Sequence, residues 1–262
     1  EMCIRDRWYT GQFYSMSYMK TVMNVESDQV DSLLGIALLF GTPFFVFFGW
    51  LSDKVGRKWV MLIGMIVAVF SYRPIYESMY QTTNLENKEV ISAQTIEKAE
   101  IKNVDEKSDS IYTIQKSFTD GTTYKQVTTL HLENGQAKIV DGKVSEIVKK
   151  STHINSGDKW KLVGLIWIQI IFITMVYGPI AAFLVEMFPV KIRYTSMSLP
   201  YHVGNGIFGG LLPAVSTYLV TNAKNNGDPK FYLEGLWYPI GIAAVCFIIG
   251  AIYISNKDRN VN

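Results

Sequence analysis

Five long runs without Asp, Glu, Lys or Arg dominate this sequence. They cover residues 33–51, 59–72, 162–185, 195–223 and 235–256. A helix needs about 20 apolar residues to cross the hydrocarbon core of a bilayer, and the shortest run is extended toward that length by residues 73–80. Because lipid cannot satisfy backbone polar groups, such segments cross as helices. The sequence therefore predicts an all-α polytopic membrane protein, although 48% hydrophobic and 18% charged residues would also suit a soluble chain.

Residues 81–158 have a different character. This segment holds 10 lysines and 12 acidic residues. Between residues 109 and 144, β-branched residues alternate with polar ones around Asp-Gly or Asn-Gly pairs at 120–121, 134–135 and 141–142, a pattern typical of hairpins. The stretch 86–107 is expected to be helical or loose. We therefore predict a small β-rich insertion, which is a lid, a partner-docking module or, as the preferred interpretation, an inert spacer.

Several functions find no support in the residues. Near-balanced charge in the insertion gives no reason to expect nucleic acid binding. Two cysteines and three histidines form no zinc-ligand cluster, and no catalytic constellation or phosphate-binding glycine loop is present. We expect no metal, no cofactor and no enzymatic activity.

The first residues need separate treatment. The segment "EMCIRDR", residues 1–7, resembles the translation of a sequencing adapter, and we expect it to be an artefact. Residue 8 would then lie inside a helix, and the chain would be a fragment. This divides the sequence into residues 1–7, helices seven to nine of the parent protein at 8–80, the insertion at 81–158, and three further helices with a tail at 159–262.

Basic residues in short loops mark the cytoplasmic side of a membrane protein. Three basic clusters follow alternate spans, and they consist of Lys54, Arg57 and Lys58; Lys191 and Arg193; and Lys257 and Arg259. With six helices, all three clusters fall on one side. We therefore predict a multi-pass plasma (inner) membrane protein with both ends of the chain cytoplasmic and the insertion outside.

The stretch "GWLSDKVGRK", residues 49–58, matches the pattern G-x-L-[SA]-D-[RK]-x-G-R-[RK] throughout. This pattern resembles the cytoplasmic-loop signature of the major facilitator superfamily. Gly49 is expected to let helices approach, and Gly56 to permit a tight turn. The resemblance implies a cytoplasmic gate that includes Asp53, Arg57 and Lys58, in which Asp53 accepts from Arg57 or from a helix start. As the plain alternative, Lys54, Arg57 and Lys58 only fix topology and solvate a loop.

A second stretch, "YGPIAAFLVEMFPVKIRYTSMSLPYHVGNGIFGGLLP" at residues 177–213, is similar to helices ten and eleven of metabolite:proton symporters. This group carries proline/betaine, 2-oxoglutarate, citrate and shikimate, and "WYTGQFY" at residues 8–14 resembles its seventh helix. The resemblance implies helices seven to twelve of a twelve-helix fold, with the first six-helix half as the missing partner. Its motif E-x-F-P-x-x-x-R adds Glu186 and Arg193 to the gate, with Arg57 or Arg193 as the partner of Glu186.

Polar residues at suitable depth are candidates for a substrate cavity, because polar groups in hydrocarbon should face a cavity or a neighbouring helix. These candidates are Gln12, Tyr14, Trp167, Gln169, Tyr177, Tyr201, His202 and Asn205. An interface-belt or packing role is the preferred interpretation for Trp167 and Tyr177. For His202 a packing or substrate-contact role is preferred to a proton relay, and an interhelical hydrogen bond is an equal alternative for Gln169.

Proton coupling is expected to depend on the missing half. Apart from Lys20, the sequence predicts His202 as the titratable side chain well inside a span, and no acidic residue is expected at mid-span. The resemblance nevertheless implies a proton as the coupling ion.

The resemblance implies a secondary active transporter that moves a small organic solute, such as a carboxylate, an amino acid or a betaine, by alternating access. The alternative is a nontransporting membrane receptor that uses the external insertion to bind its ligand. A membrane enzyme has no supporting residues.

Overall fold

The computed structural model describes residues 9–91, 95–104, 107–133, 136–137, 139–140, 143–144, 146–187, 189–196 and 210–253. The chain divides into two compact units. The first, here the helical unit, comprises Glu1–Tyr18, Asp31–Thr82 and Trp160–Asn262. The second, here the sheet unit, comprises Met19–Val30 and Thr83–Lys159.

Helices make up most of the described chain. A π-helical turn at Tyr9–Tyr14 runs into α1, Ser15–Thr21. The later helices are α2 (Ser27–Val55), α3 (Arg57–Thr83), α4 (Ser156–Met187), α5 (Gly210–Asn225), α6 (Phe231–Glu234) and α7 (Trp237–Tyr253).

Four helical segments are long and apolar enough to cross a membrane: Ser27–Val55, Arg57–Thr83, Ser156–Glu186 and Phe231–Ile252. The predicted polytopic membrane protein is therefore confirmed at this level. The first predicted span is represented by Tyr9–Tyr14 and α1, and the fifth includes residues 197–209, which lie outside the described part of the chain. Six spans thus stay a prediction.

The connection between α2 and α3 is shorter than the sequence suggested. Asp53 and Lys54 lie in the last turn of α2, and Arg57 begins α3, so only Gly56 separates the two helices. Gly56 has a φ of 100°, a conformation that side chains with a Cβ rarely adopt. One glycine therefore turns the chain where a short loop was expected.

An apolar layer joins α3, α4 and α7 in the helical unit. Its buried members are Met61, Met65, Val176, Ile180, Leu184 and Cys246. Tyr177 packs against this layer as a partly buried neighbour. The layer lies between the charged residues at the start of α3 and a second charged group farther along the same helix.

The sheet unit contains an antiparallel sheet of five strands. The strands of the chain are β1 (Ile96–Val104), β2 (Lys107–Ser117), β3 (Thr123–Glu133), β4 (Gln136–Ala137), β5 (Ile139–Val140), β6 (Lys143–Val144) and β7 (Glu146–His153). The order is β1-β2-β3-β4, with β7 also paired to β3, and β5 pairs separately with β6.

Two details of the sheet bear on the sequence analysis. The predicted turn at residues 120–121 joins β2 to β3, and Gly121 adopts a φ of 86° there. The turns predicted at 134–135 and 141–142 lie outside the described residues. The expectation that residues 86–107 are helical or loose was wrong for residues 96–104, which form β1 and pair with β2 along the whole strand.

Backbone pairing fastens the segment 19–30 to the sheet. The amide of Thr152 donates to Asn24 O (2.7 Å), and the amide of Glu26 donates to Thr152 O (3.1 Å). Gln29 accepts from the Ile154 amide at 2.8 Å and donates to the Ile154 carbonyl at 3.1 Å. This interhelical connection and the insertion therefore form one folded unit.

Candidate functional site

Arg57 is the centre of a charged cluster at the junction of α2, α3 and α4. Its Nη2 donates to Asp53 Oδ1 over 3.2 Å, and its Nη1 forms an ion pair with Glu186 Oε2. The Arg57 side chain is 20% exposed, whereas Asp53 and Glu186 are about three-fifths exposed. A mostly covered guanidinium thus links two carboxylates that water can reach. We call Asp53, Arg57 and Glu186 the latch.

The chain produces this cluster by simple means. Asp53 and Arg57 are four residues apart, with Gly56 between them. Side chains at this spacing are neighbours on a helix, and the short break at Gly56 keeps them close. Glu186 lies at the end of α4, one residue before the helix ends at Met187. Of the two partners considered for Glu186, the structure shows Arg57. Arg193 lies in the segment 189–196 and is partly exposed.

Lys58 connects the same junction to a further helix. Its Nζ donates to the carbonyl of Ala251 in the last turn of α7, over 2.9 Å. Carbonyls in the last turn of a helix lack intrahelical donors, and a cation there also complements the helix dipole. Lys58 therefore has a structural contact in addition to its effect on topology.

Gly49 lies where α2 approaches α4, and the tighter side of this crossing belongs to Gly178. A Cβ at Gly178 would lie 3.0 Å from both Gly49 N and Phe45 O, whereas a Cβ at Gly49 would meet Gly178 O at 3.9 Å. The expected close approach at Gly49 thus depends more on Gly178, which the sequence analysis did not single out.

Among the cavity candidates, Gln169 takes part in a buried polar network. Ser15 Oγ donates to Gln169 Oε1 over 3.1 Å and lies 2.7 Å from the Tyr76 hydroxyl. Ser15, Tyr76 and Gln169 are fully buried. The sequence analysis missed Ser15 and Tyr76, because a serine and a tyrosine in an apolar stretch give no signal without a partner.

Tyr14 lies beside this network. Its ring centroid is 5.4 Å from that of Tyr76 and 5.9 Å from that of Tyr18. Its buried hydroxyl has no hydrogen-bond partner among the residues that the structure describes, and the same holds for Gln12 Oε1. Tyr14, beside the network, and Gln12, about one helical turn before Ser15, thus each have an unsatisfied polar atom.

The remaining candidates divide into two groups. The Trp167 indole donates to Phe40 O over 3.3 Å and packs edge-on against Phe44, and Tyr177 packs against the apolar layer. Both contacts fit the packing interpretation. Tyr201, His202 and Asn205 lie outside the described residues, so their roles stay predictions.

Charged side chains inside α3 form a second group that the sequence analysis missed. Arg73 Nη2 lies 3.6 Å from Glu234 Oε1, and Lys230 Nζ lies 3.3 Å from Glu77 Oε1. Tyr80 stacks on Tyr232 with a centroid distance of 3.9 Å. The expectation that only Lys20 and His202 titrate inside the spans was therefore incomplete. The stretch "RPIYESMY" at residues 73–80 carries this signal, because it places one basic and one acidic residue four positions apart.

Three curated proteins are similar to parts of this chain. A citrate-proton symporter of Klebsiella pneumoniae is 29% identical over 94 residues, which are 36% of this chain and 19% of the symporter. A Haemophilus influenzae (strain Rd) protein named "Putative metabolite transport protein" is 33% identical over 107 residues, or 40% and 22% of the two chains. A citrate-proton symporter of Salmonella typhi is 38% identical over 69 residues, or 26% and 16%.

The chain thus matches between 16% and 22% of the length of these curated relatives. No family model matches the sequence, and no solved structure matches it. The relatives confirm the predicted resemblance, and the four apolar spans fit it: this chain is a polytopic membrane protein similar to metabolite:proton symporters.

Proposed function

We propose that this chain is part of a proton-coupled symporter for a small organic solute, and that it supplies helices seven to twelve of a twelve-helix transporter. The observation that carries the proposal is the latch at the ends of α2, α3 and α4, in the segments that resemble the superfamily motifs. Similarity to two citrate-proton symporters supports proton coupling and favours a small carboxylate as the solute.

The latch has the properties of a contact that opens and closes. Exposed ion pairs contribute about 0–1 kcal/mol, because water competes for both partners. Asp53 and Glu186 are mostly exposed, so Arg57 can leave either carboxylate at small cost. In the proposed cycle, the latch holds one side of the site closed and breaks when the two halves rock. That side is cytoplasmic in the proposed topology.

The buried network provides the proposed contribution of this half to the solute site. Gln169 and Tyr14 lie in or beside it, and the unsatisfied oxygens of Tyr14 and Gln12 are available to a polar solute. An unsatisfied polar group in an apolar environment costs free energy. A ligand that supplied the missing partner would recover that cost.

Vesicle uptake tests this function. The protein expressed from its complete open reading frame is reconstituted, an inward proton gradient is imposed, and radiolabelled citrate, 2-oxoglutarate, proline and betaine are offered. We expect accumulation of at least one solute, and its loss when a protonophore removes the gradient.

The same experiment separates the alternative function. Saturable binding without accumulation would favour the nontransporting receptor. Neither binding nor accumulation of any of these solutes would contradict both functions as stated.

A further inference from the structure

Arg73 and Glu234 are placed where charge is expensive. Lys58 contacts Ala251 at one end of the antiparallel helices α3 and α7, and Arg73 lies over the ring of Trp237 at the other. Fifteen residues separate Lys58 from Arg73, or about 22 Å of helix. The hydrocarbon core is about 30 Å thick. If the charges at Asp53–Lys58 mark its inner boundary, Arg73 lies inside the hydrocarbon core near its outer side.

Ionisable residues inside a membrane segment are costly, and they indicate function when a partner is present. Three such residues, Arg73, Glu77 and Glu234, lie in the candidate spans, and Lys230 directly precedes one of these spans. Together the four form a charge-neutral group of two basic and two acidic residues. Arg73 pairs with Glu234 across the helices, and Glu77 pairs with Lys230 one turn farther along α3. We call these four residues the outer quartet.

The Arg73–Glu234 pair is loose. Its shortest distance of 3.6 Å is longer than a hydrogen bond. The second guanidinium nitrogen, Arg73 Nη1, is buried and has no hydrogen-bond partner in the described part of the chain. Trp237 holds the guanidinium by a cation–π contact with 4.8 Å between Arg73 Cζ and the ring centroid. Arg73 therefore has a donor that Glu234 does not use.

Glu77 offers Arg73 a second position. The two residues are four apart on α3, and helical residues at this spacing are neighbours. Arginine before glutamate is the weaker order of such a pair. That order suits an arrangement that forms only when Glu234 ceases to compete. Arg73 thus has one observed partner, on the neighbouring chain segment, and a second carboxylate at neighbouring spacing on its own helix.

We propose that Glu234 is a proton-binding carboxyl and that its protonation transfers Arg73 from Glu234 to Glu77. A proton from external water adds to the Glu234 carboxylate, the charge of the quartet rises from zero to plus one, and the ion pair between α3 and α6 is lost. The charged group that contacts Glu234 is Arg73. The other charged groups on the adjoining elements are Glu77 on α3, which pairs with Lys230, Lys224 on α5, which lies over the Phe231 ring, and Asp228, which accepts from the Lys230 amide. A role in coupling proton entry to helix movement rests on the proposed transport function.

Trp237 reports this exchange directly, because Arg73 lies over its ring. The protein is labelled with fluorotryptophan, the Trp237 resonance is assigned with Trp237→Phe, and fluorine spectra are recorded from about pH 8 down to about pH 3, a range that includes the ordinary titration of carboxyl groups. We expect the wild-type resonance to move with pH. In Glu234→Gln the resonance should remain, at every pH, at the position that the wild type reaches at the acidic end of the titration, and Glu234→Asp should restore the movement.

The matched control is Lys230→Gln, which removes a charge from the neighbouring pair and leaves Arg73 with Glu234. Its Trp237 resonance should still move with pH. A wild-type resonance that stays constant, or a Glu234→Gln resonance that moves as in the wild type, would overturn the proposal. This spectrum needs no transport, so a protein that carries no solute would contradict the proposed function without affecting this result.

Discussion

At the residue scale, Lys88 is the centre of a polar cluster in the sheet unit. Lys88 Nζ donates to Asp120 Oδ2 at 2.6 Å, to Thr122 Oγ1 at 2.8 Å and to Asp158 Oδ2 at 2.5 Å. Its side chain is only 10% exposed. Asn155 also donates to both carboxylates. Lys88 therefore joins the β2–β3 turn to the start of α4.

Replacement of Lys88 should destabilise the sheet unit. Lys88→Met leaves two neighbouring carboxylates without their cation, which should cost about 2 kcal/mol given the partial exposure of the acids. Amide hydrogen exchange of residues 83–159 in the full chain measures the loss. The matched control is Lys98→Met, which removes an exposed lysine on β1. Equal protection in both variants would contradict a structural role for Lys88.

Both low and high pH should weaken the Lys88 cluster, because acid neutralises its carboxylates and base neutralises its lysine. Burial alone would raise the pKa of Asp120, but hydrogen bonds from Lys88 and Thr122 lower it from 3.8 to about 2. Its contribution to stability is therefore complete above about pH 4 and is lost as the pH falls toward 2. Burial lowers and the carboxylates raise the pKa of Lys88, with a net increase above 10.5. Its contribution is lost as the pH rises through that increased pKa.

A carbon NMR titration of the Asp120 carboxyl tests the acid limb. We expect the midpoint near 2 in the wild type and a return toward 3.8 in Lys88→Met. An unchanged midpoint in the variant would show that Lys88 is not the cause.

At the scale of elements, the crossing of α2 and α4 depends more on Gly178 of α4 than on Gly49 of α2. Gly178→Ala should force the helices apart, because its new methyl would lie 3.0 Å from backbone atoms of α2. Overpacking of this kind costs about 1–3 kcal/mol. Gly49→Ala is the matched control, since its methyl would meet its nearest neighbour at an ordinary 3.9 Å. Thermal unfolding in detergent should show a lower midpoint for Gly178→Ala alone, and equal midpoints would contradict this asymmetry.

Several elements could be predicted from the sequence for clear physical reasons. Charge-free runs near residues 33–51 and 162–185 identified α2 and α4, because bilayer thickness fixes the length of a span. The Asp-Gly pair at 120–121 identified the β2–β3 turn, because glycine adopts a positive φ there.

Other features depend on tertiary contacts that one sequence does not display. Gly178 is special only because α2 lies against it. The charges of Arg73 and Glu77 were visible, but their partners lie more than 150 positions away in the sequence. The same applies to Ser15, whose role appears when Gln169 is placed beside it.

At the scale of the whole molecule, the helical unit has two charged layers along α3. The latch lies at the start of α3 and the outer quartet lies near its end, with buried Met61 and Met65 between them. In the proposed transporter the two layers would respond to opposite sides of the membrane. The latch would open by rocking, and the outer quartet would open on protonation.

The charge swap between Arg57 and Glu186 tests the latch most directly. Proton-driven solute uptake is measured for Arg57→Glu, for Glu186→Arg and for the double variant that carries both. Each single reversal places like charges together and should abolish most uptake, because the latch can no longer close. The double variant restores an ion pair across the same junction, and we predict that it recovers a substantial part of the uptake. If both single variants lose uptake and the double variant recovers none, the Arg57–Glu186 pair is not the working contact of the gate.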